Sequence, residues 1–335
     1  MRYISIRAGI SVLLIWGVTL ITFILTTLVP ASPVAAVLGE TAMNDPKIVA
    51  QTTHELGLDK PLPVQYLLYL KRLLHFDFET STQTRDPVSH DLSIAFPATM
   101  ELAIYVMIVS IVIALALSLY AALHHRGIID QIIRIVSIAG ISVPIFWLAM
   151  ILFYLMTYTL HLLPGSGRLD PALSPPPKVT GLYTVDAALA GQWSVLGNAL
   201  EHLILPVTVL SLLTLALLIK FFRSALLDVV NQDYITAARA KGLPSRVVTF
   251  SYVLRGAMLP ILTMSGLAFG SLLTGAVLTE SIFSWQGLGQ YSLSAAVHLD
   301  IPAIMGSGIV IGTVYIILNF IIDLMYGIID PRVRR

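Results

Sequence analysis

Eight histidines, two Gly-Ser-Gly triplets and nineteen carboxylates are the residues of this 335-residue chain that could support metal, acyl-transfer or acid–base chemistry. His124 and His125 are adjacent, and sequence neighbours do not share a helix face, so they make poor co-ligands. His54, His75, His90, His161, His202 and His298 stand singly, without the spacing of a metal centre. The reading is no metal site. Ser166, between Gly165 and Gly167, lacks a nucleophile-elbow pattern. No G-x-x-x-x-G-K-[ST] phosphate loop occurs, so the chain cannot hydrolyse ATP by that route. Cysteine is absent, which excludes disulfides, thiolate metal sites and cysteine lipidation. No catalytic residue is assigned, and the expectation is a non-enzyme.

One charged stretch stands out, "DYITAARAKGLPSRVVTFSYVLRGAMLP", Asp233 to Pro260. Asp233 can cap a short helix, Tyr234–Lys241, with Gly242 as its stop and Pro244 as the following breaker. Ser245 can cap a second helix, Arg246 to about Gly256. Ala237, Ala238 and Ala240 would let another surface approach the backbone closely. Arg239 and Lys241 add charge for an acidic or carbonyl-lined partner. Such a knob could sit in a groove of a soluble protein, or be a solvated hairpin that sets orientation; the residues alone leave both open.

The elements around it are apolar. Hydrophobic residues make up 56% and charged ones 12%, with a mean hydropathy of +0.85. A 30 Å hydrocarbon layer needs about 20 apolar residues in a helix. Six segments qualify or come close, at 8–29, 102–123, 135–160, 203–219, 257–279 and 303–322. The first is too long for a signal-peptide core of about 7–15 residues and is read as an uncleaved helix. The expected fold is an all-α integral membrane protein with six transmembrane helices in one domain over 1–335. Lys47, Lys60, Lys71, Arg72, Arg85, Arg168 and Lys178 fall on one side; the other thirteen of the 20 Lys and Arg fall on the side of the N-terminus. The positive-inside rule then makes both termini cytoplasmic. Two segments lie outside: 30–97, where Leu62, Leu67, Leu70, Leu73 and Leu74 suggest an amphipathic helix, and the Pro-rich loop 161–197. The charged loop, 223–256, lies inside.

The charged stretch resembles the cytoplasmic EAA loop of ABC-importer permeases. It is most similar to the dipeptide/oligopeptide/nickel branch, whose pattern D-Y-x-x-[TA]-A-R-A-K-G-L precedes a long spacer before L-P. Thr236 stands where the usual first Glu would be. "LVPASPVAAVLGE", "LGLDKPLPVQY", "FPATMELA", "LPGSGRLD", "TESIFSWQGLG" and "DLMYGIIDPRVR" resemble that branch in the same order. The chain departs from it at Gln286, where proline is usual, and at Phe78 and Glu79, where Leu-Gly is frequent.

The resemblance implies a type I ABC-importer permease fold, with the external segment between helices 1 and 2. It implies a subunit of the cytoplasmic (inner) membrane of a bacterium, multi-pass, importing di- or oligopeptides by alternating access. Nickel chelates, opines or glutathione are alternative cargoes, and a stand-alone secondary transporter is a rival from another class. The implied partners are a second homologous permease, two cytosolic ABC ATPases, an external solute-binding protein and membrane lipid; nucleic acid is not among them. No cofactor binds this chain, and ATP and Mg belong to the ATPases. Asp233, Tyr234, Thr236, Ala237, Ala238, Arg239, Ala240, Lys241, Gly242 and Pro244 become the ATPase-coupling element. Span five carries Gly266, Gly270, Ser271, Thr274 and Gly275, small residues suited to close helix approach, either to the other permease, along the pathway or within the chain. Glu280 beyond them could line the external mouth or sit in the headgroup zone. Glu101 reads as an interfacial or a helix-start charge.

Overall fold

The computed structural model describes residues 2–28, 45–55, 57–124 and 127–329. Most of "LVPASPVAAVLGE", His125, Arg126 and the closing "DPRVR" lie outside these residues. Among the described residues the chain is all helical, with no strand. Among the described residues, five helices are long and apolar enough to cross a membrane. They are α1 (Arg2–Leu28), α4 (Val88–Leu123), α8 (Trp193–Val230), the helical run Ser245–Gly275 and α14 (Ile301–Ile329). Between them come α2 (Pro46–Glu55), α3 (Leu62–Leu74), α5 (Ile128–Ser142), α6 (Ile145–Phe153), α7 (Tyr183–Leu189) and α9 (Asp233–Ala240). The run Ser245–Gly275 divides into α10 (Ser245–Val247), a π-helical segment (Val248–Leu254) and α11 (Arg255–Gly275); α12 (Val277–Ile282) and α13 (Leu288–Val297) follow.

Large apolar side chains such as Val12, Leu13 and Trp16 on α1, and Ile317 and Ile321 on α14, are exposed in the isolated chain. A helix apolar on its open faces suits a lipid or protein surround. The third span expected at 135–160 is not one helix. It is interrupted where α5 ends at Ser142, because Val143 precedes Pro144 and a residue before proline is driven to extended backbone. α6 then continues as a π-helix through Tyr154–Thr159. The other spans are longer than expected. α4 begins at Val88, so the last ten residues of the segment 30–97 are helical, and α8 begins at Trp193, inside the loop 161–197.

The chain divides into two compact units, and the division falls within α4 and α14. The first comprises Met1–Ala98 and Gln286–Ile317. There α3 packs on α1 through Phe23, Tyr66 and Tyr69, with ring centroids 5.4–6.4 Å apart, and Thr19 hydrogen-bonds the Tyr66 hydroxyl at 2.9 Å. The buried face of α3 is thus aromatic, while Leu62, Leu67 and Leu74 of the expected leucine stripe are exposed. The second unit comprises Thr99–Trp285 and Leu318–Arg335. α8 is its central element, in contact with α5, α6, α7, α11 and α12.

Candidate functional site

The charged loop folds as an ordered piece of the second unit. α9 starts after Gln232, so Asp233 is its first residue rather than its cap, and no side chain caps it. The helix end is as the sequence requires. Gly242 takes φ +74°, its N–H donates to the Arg239 carbonyl and the Leu243 N–H donates to the Ala238 carbonyl. This is the Schellman pairing, which uses a left-handed residue to satisfy the last carbonyls. Pro244 follows in extended backbone and Ser245 enters the helical run. The second helix of the loop is therefore mostly π-helical, and it passes without a break into α11.

Two side chains fasten α9 to the unit. Ile235 and Ala238 are buried in a cluster with Ala121 and Ala122 of α4, Phe222 and Leu226 of α8, Val253 of the π-helix and Ala257 of α11. Ala238 therefore belongs to the chain's own core. The outward face is Tyr234, Thr236, Ala237, Arg239, Ala240 and Lys241. Tyr234 also meets the start of α11: a Cβ placed on Gly256 would stand 2.6 Å from its hydroxyl oxygen and 2.9 Å from Val229 Cγ1. Nearby, Arg223 of α8 grips Asp130 of α5 with two bonds, Nε to Oδ1 at 2.6 Å and Nη2 to Oδ2 at 2.7 Å.

A second polar arrangement joins three of the quoted stretches on one turn of α4. Glu101 is buried, and its Oε2 accepts a hydrogen bond from Arg168 Nη2 at 2.6 Å. Glu101 Oε1 accepts from the Thr184 N–H at 2.8 Å and the Thr184 hydroxyl at 2.7 Å. Arg168 also donates to the Gly181 carbonyl at 3.0 Å and lies 3.7 Å over the Tyr183 ring. Two residues earlier, the Thr99 hydroxyl donates to Glu280 Oε1 at 2.6 Å. Sequence reasoning placed Glu101 at an interface or a helix start and Glu280 at an open mouth or among headgroups. Both are buried, because hydroxyl, amide and guanidinium donors from the loop 161–197 and from α4 satisfy them. Nothing in sequence alone pairs Glu101 with Arg168, 67 positions apart. The signal is that each lies in one of the stretches quoted above.

The small residues of α11 separate into two sets. Gly266 is occupied from within the chain, since a Cβ there would meet Ile322 Cδ1 at 2.0 Å, and Gly270 is buried. Ser271, Thr274 and Gly275 are exposed. Of the histidines, His90 is brought together with acids: His90, Asp86 and Asp91 hold their ligand atoms within 4.8 Å of one another. This exposed grouping was not legible as a spacing.

Long apolar helices with one ordered, core-seated polar loop define a polytopic membrane protein. The chain belongs to the family described as the binding-protein-dependent transport system inner membrane component, which matches residues 114–335; the N-terminal component of the same system matches residues 1–103. It is a permease subunit of a transport system, not an enzyme. It is 42% identical to the probable D,D-dipeptide transport system permease protein DdpB of Escherichia coli K12, over 97% of this chain and 95% of that protein. It is 40% identical to the di/tripeptide transport system permease protein DppB of Pseudomonas aeruginosa, over 100% and 99%. The dipeptide transport system permease protein DppB of Escherichia coli K12 is 37% identical, over 100% and 99%.

Proposed function

We propose that this chain is the translocating subunit of an ATP-driven importer of di- and oligopeptides. The observation that carries the cargo is full-length similarity to several permeases whose names specify dipeptide or tripeptide transport. The chain crosses the membrane six times, with α6 and its π-helical continuation as the third crossing and both termini in the cytoplasm. It pairs with a second permease and two cytosolic ATPases that hold ATP and Mg, and an external binding protein delivers the solute. The loop from Asp233 to Pro244 couples it to an ATPase: the outward face of α9 meets that partner, while Ile235 and Ala238 pass its displacement to α8 and α11. The exposed Ser271, Thr274 and Gly275 line the contact with the other permease or the pathway.

The test is uptake by the complete transporter in proteoliposomes with its binding protein. Dialanine and trialanine should be accumulated and should stimulate ATP hydrolysis. Uptake of a nickel chelate, an opine or glutathione in their place would replace the cargo assignment. Accumulation by this chain alone, without ATPases, would remove the importer reading.

A further inference from the structure

Within the first unit, the start of α4 and helix α13 border an open concavity of about 340 Å³. Its polar lining is Asp91, Thr84, Tyr291, Gln286, Gln290 and Ser294. Asp91 is half-buried and held on one side only: its Oδ2 accepts hydrogen bonds from the Thr84 hydroxyl at 2.8 Å and the Tyr291 hydroxyl at 3.2 Å. Its Oδ1 accepts none among the described residues. Burial, together with the charge of Asp91, pushes the Tyr291 phenol up, so it remains a donor.

Gln286 is where the chain departs from the usual proline, and the structure gives that departure a consequence. Its φ is +55°, which a proline ring locked near −65° cannot adopt. Its N–H, which proline lacks, donates to Gln290 Oε1 at 2.8 Å. The departure thus gives the wall a backbone that proline excludes, and two side-chain amides stand on it.

We propose that this concavity is a subsite for the protonated amino terminus of a transported peptide, with Asp91 Oδ1 as counter-ion and the Gln286 and Gln290 amides meeting the first peptide group. The inference rests on the peptide-import reading. An ammonium carries three donors and one positive charge, which suits a carboxylate whose second oxygen is fixed by hydroxyls. A peptide's carboxylate end would meet Asp91 and Asp86 of like charge. The grouping of Asp86, His90 and Asp91 makes a divalent cation the rival occupant.

The experiment uses the assembled permease–ATPase complex, without binding protein, in nanodiscs of phosphatidylglycerol and phosphatidylcholine. Saturation-transfer NMR follows dialanine and N-acetyl-dialanine. Dialanine should bind, and Asp91→Asn should weaken it about fivefold, as loss of an exposed ion pair does. The wild type should bind the acetylated peptide at least as weakly. Gln286→Pro, in a complex that still co-purifies with its ATPases, should weaken dialanine as well. Undiminished binding by Asp91→Asn, or equal binding of the two peptides, overturns the subsite. So does displacement of dialanine by phosphatidylethanolamine, or tight manganese binding, seen by electron paramagnetic resonance, that His90→Ala removes. Dialanine uptake by the full wild-type transporter keeps these outcomes separate from failure of the cargo assignment; absence of any peptide uptake sinks both.

Discussion

Glu79 holds a backbone φ of +68°, a conformation that costs a residue with a Cβ about 1 kcal/mol relative to glycine. This chain compensates with an ion pair from Glu79 to Arg72, while the Glu79 carbonyl accepts the Val88 N–H at 3.0 Å and Phe78 packs against the cluster around Leu92. An exposed pair contributes ~0–1 kcal/mol. Glu79→Gly should therefore shift thermal stability by less than about 1 kcal/mol; a larger loss would show that the pair matters more than its exposure suggests. Asp186 follows the opposite logic. Burial opposes its ionisation, but the N–H groups of Thr180, Gly181 and Val179 and the Thr180 hydroxyl outweigh burial and hold its carboxyl below the usual range. A depressed native pKa adds stability that is fully present above about pH 4 and is lost as pH falls through the native value. The stability gap between the wild type and Asp186→Asn should narrow on acidification below about pH 4. A gap independent of pH, measured by thermal melts of the purified complex, would contradict the assignment. Neither feature was legible in the sequence, because φ at Glu79 and the donors around Asp186 are set by loop closure.

At the scale of the element, the charged loop was legible at its end and hidden at its joint. Gly242 and Pro244 are local signals with local causes, and the structure reproduces them. The π-helix at Val248–Leu254 contains neither Gly nor Pro, so nothing local marks it; the packing of Val248 and Val253 into the core goes with the wider turn. Gly256 is the joint's tightest point. Gly256→Ala should push Tyr234 away, cost ~1–3 kcal/mol as overpacking does, and lower uptake per ATP hydrolysed. Adding Tyr234→Phe removes the nearest atom and should restore part of both. A double variant no better than the single one would show that the hydroxyl is not the obstacle. The buried pair is a separate test. Arg168→Met leaves Glu101 uncompensated and should destabilise the transporter by ~3–5 kcal/mol, whereas Arg168→Met with Glu101→Met should recover much of it. Equal losses in the two would mean that the pair's wider hydrogen bonding, not its charge balance, holds the loop 161–197.

For the whole molecule, composition and run length identified the membrane class, and the charge distribution yields an orientation that can be checked directly. Because the chain has no cysteine, single-site labelling needs no background removal. In intact cells stripped of their outer envelope, an impermeant maleimide should reach Lys178→Cys at once and Lys241→Cys only after permeabilisation; the reverse pattern would invert the topology. What the runs could not provide was the length of α8. The apolar count marks only 203–219, because the polar ends of a helix that outlasts the bilayer resemble loop. At 38 residues the helix is about 57 Å long, against a hydrocarbon layer of about 30 Å. It is a boom nearly twice as long as the barrier it crosses, with the charged knob rigged to one tip. Swinging one end through about 5° sweeps the other by about 5 Å. If the loop couples as proposed, a small stroke at that tip reaches the opposite tip at the scale of a peptide's width, with no gear required between.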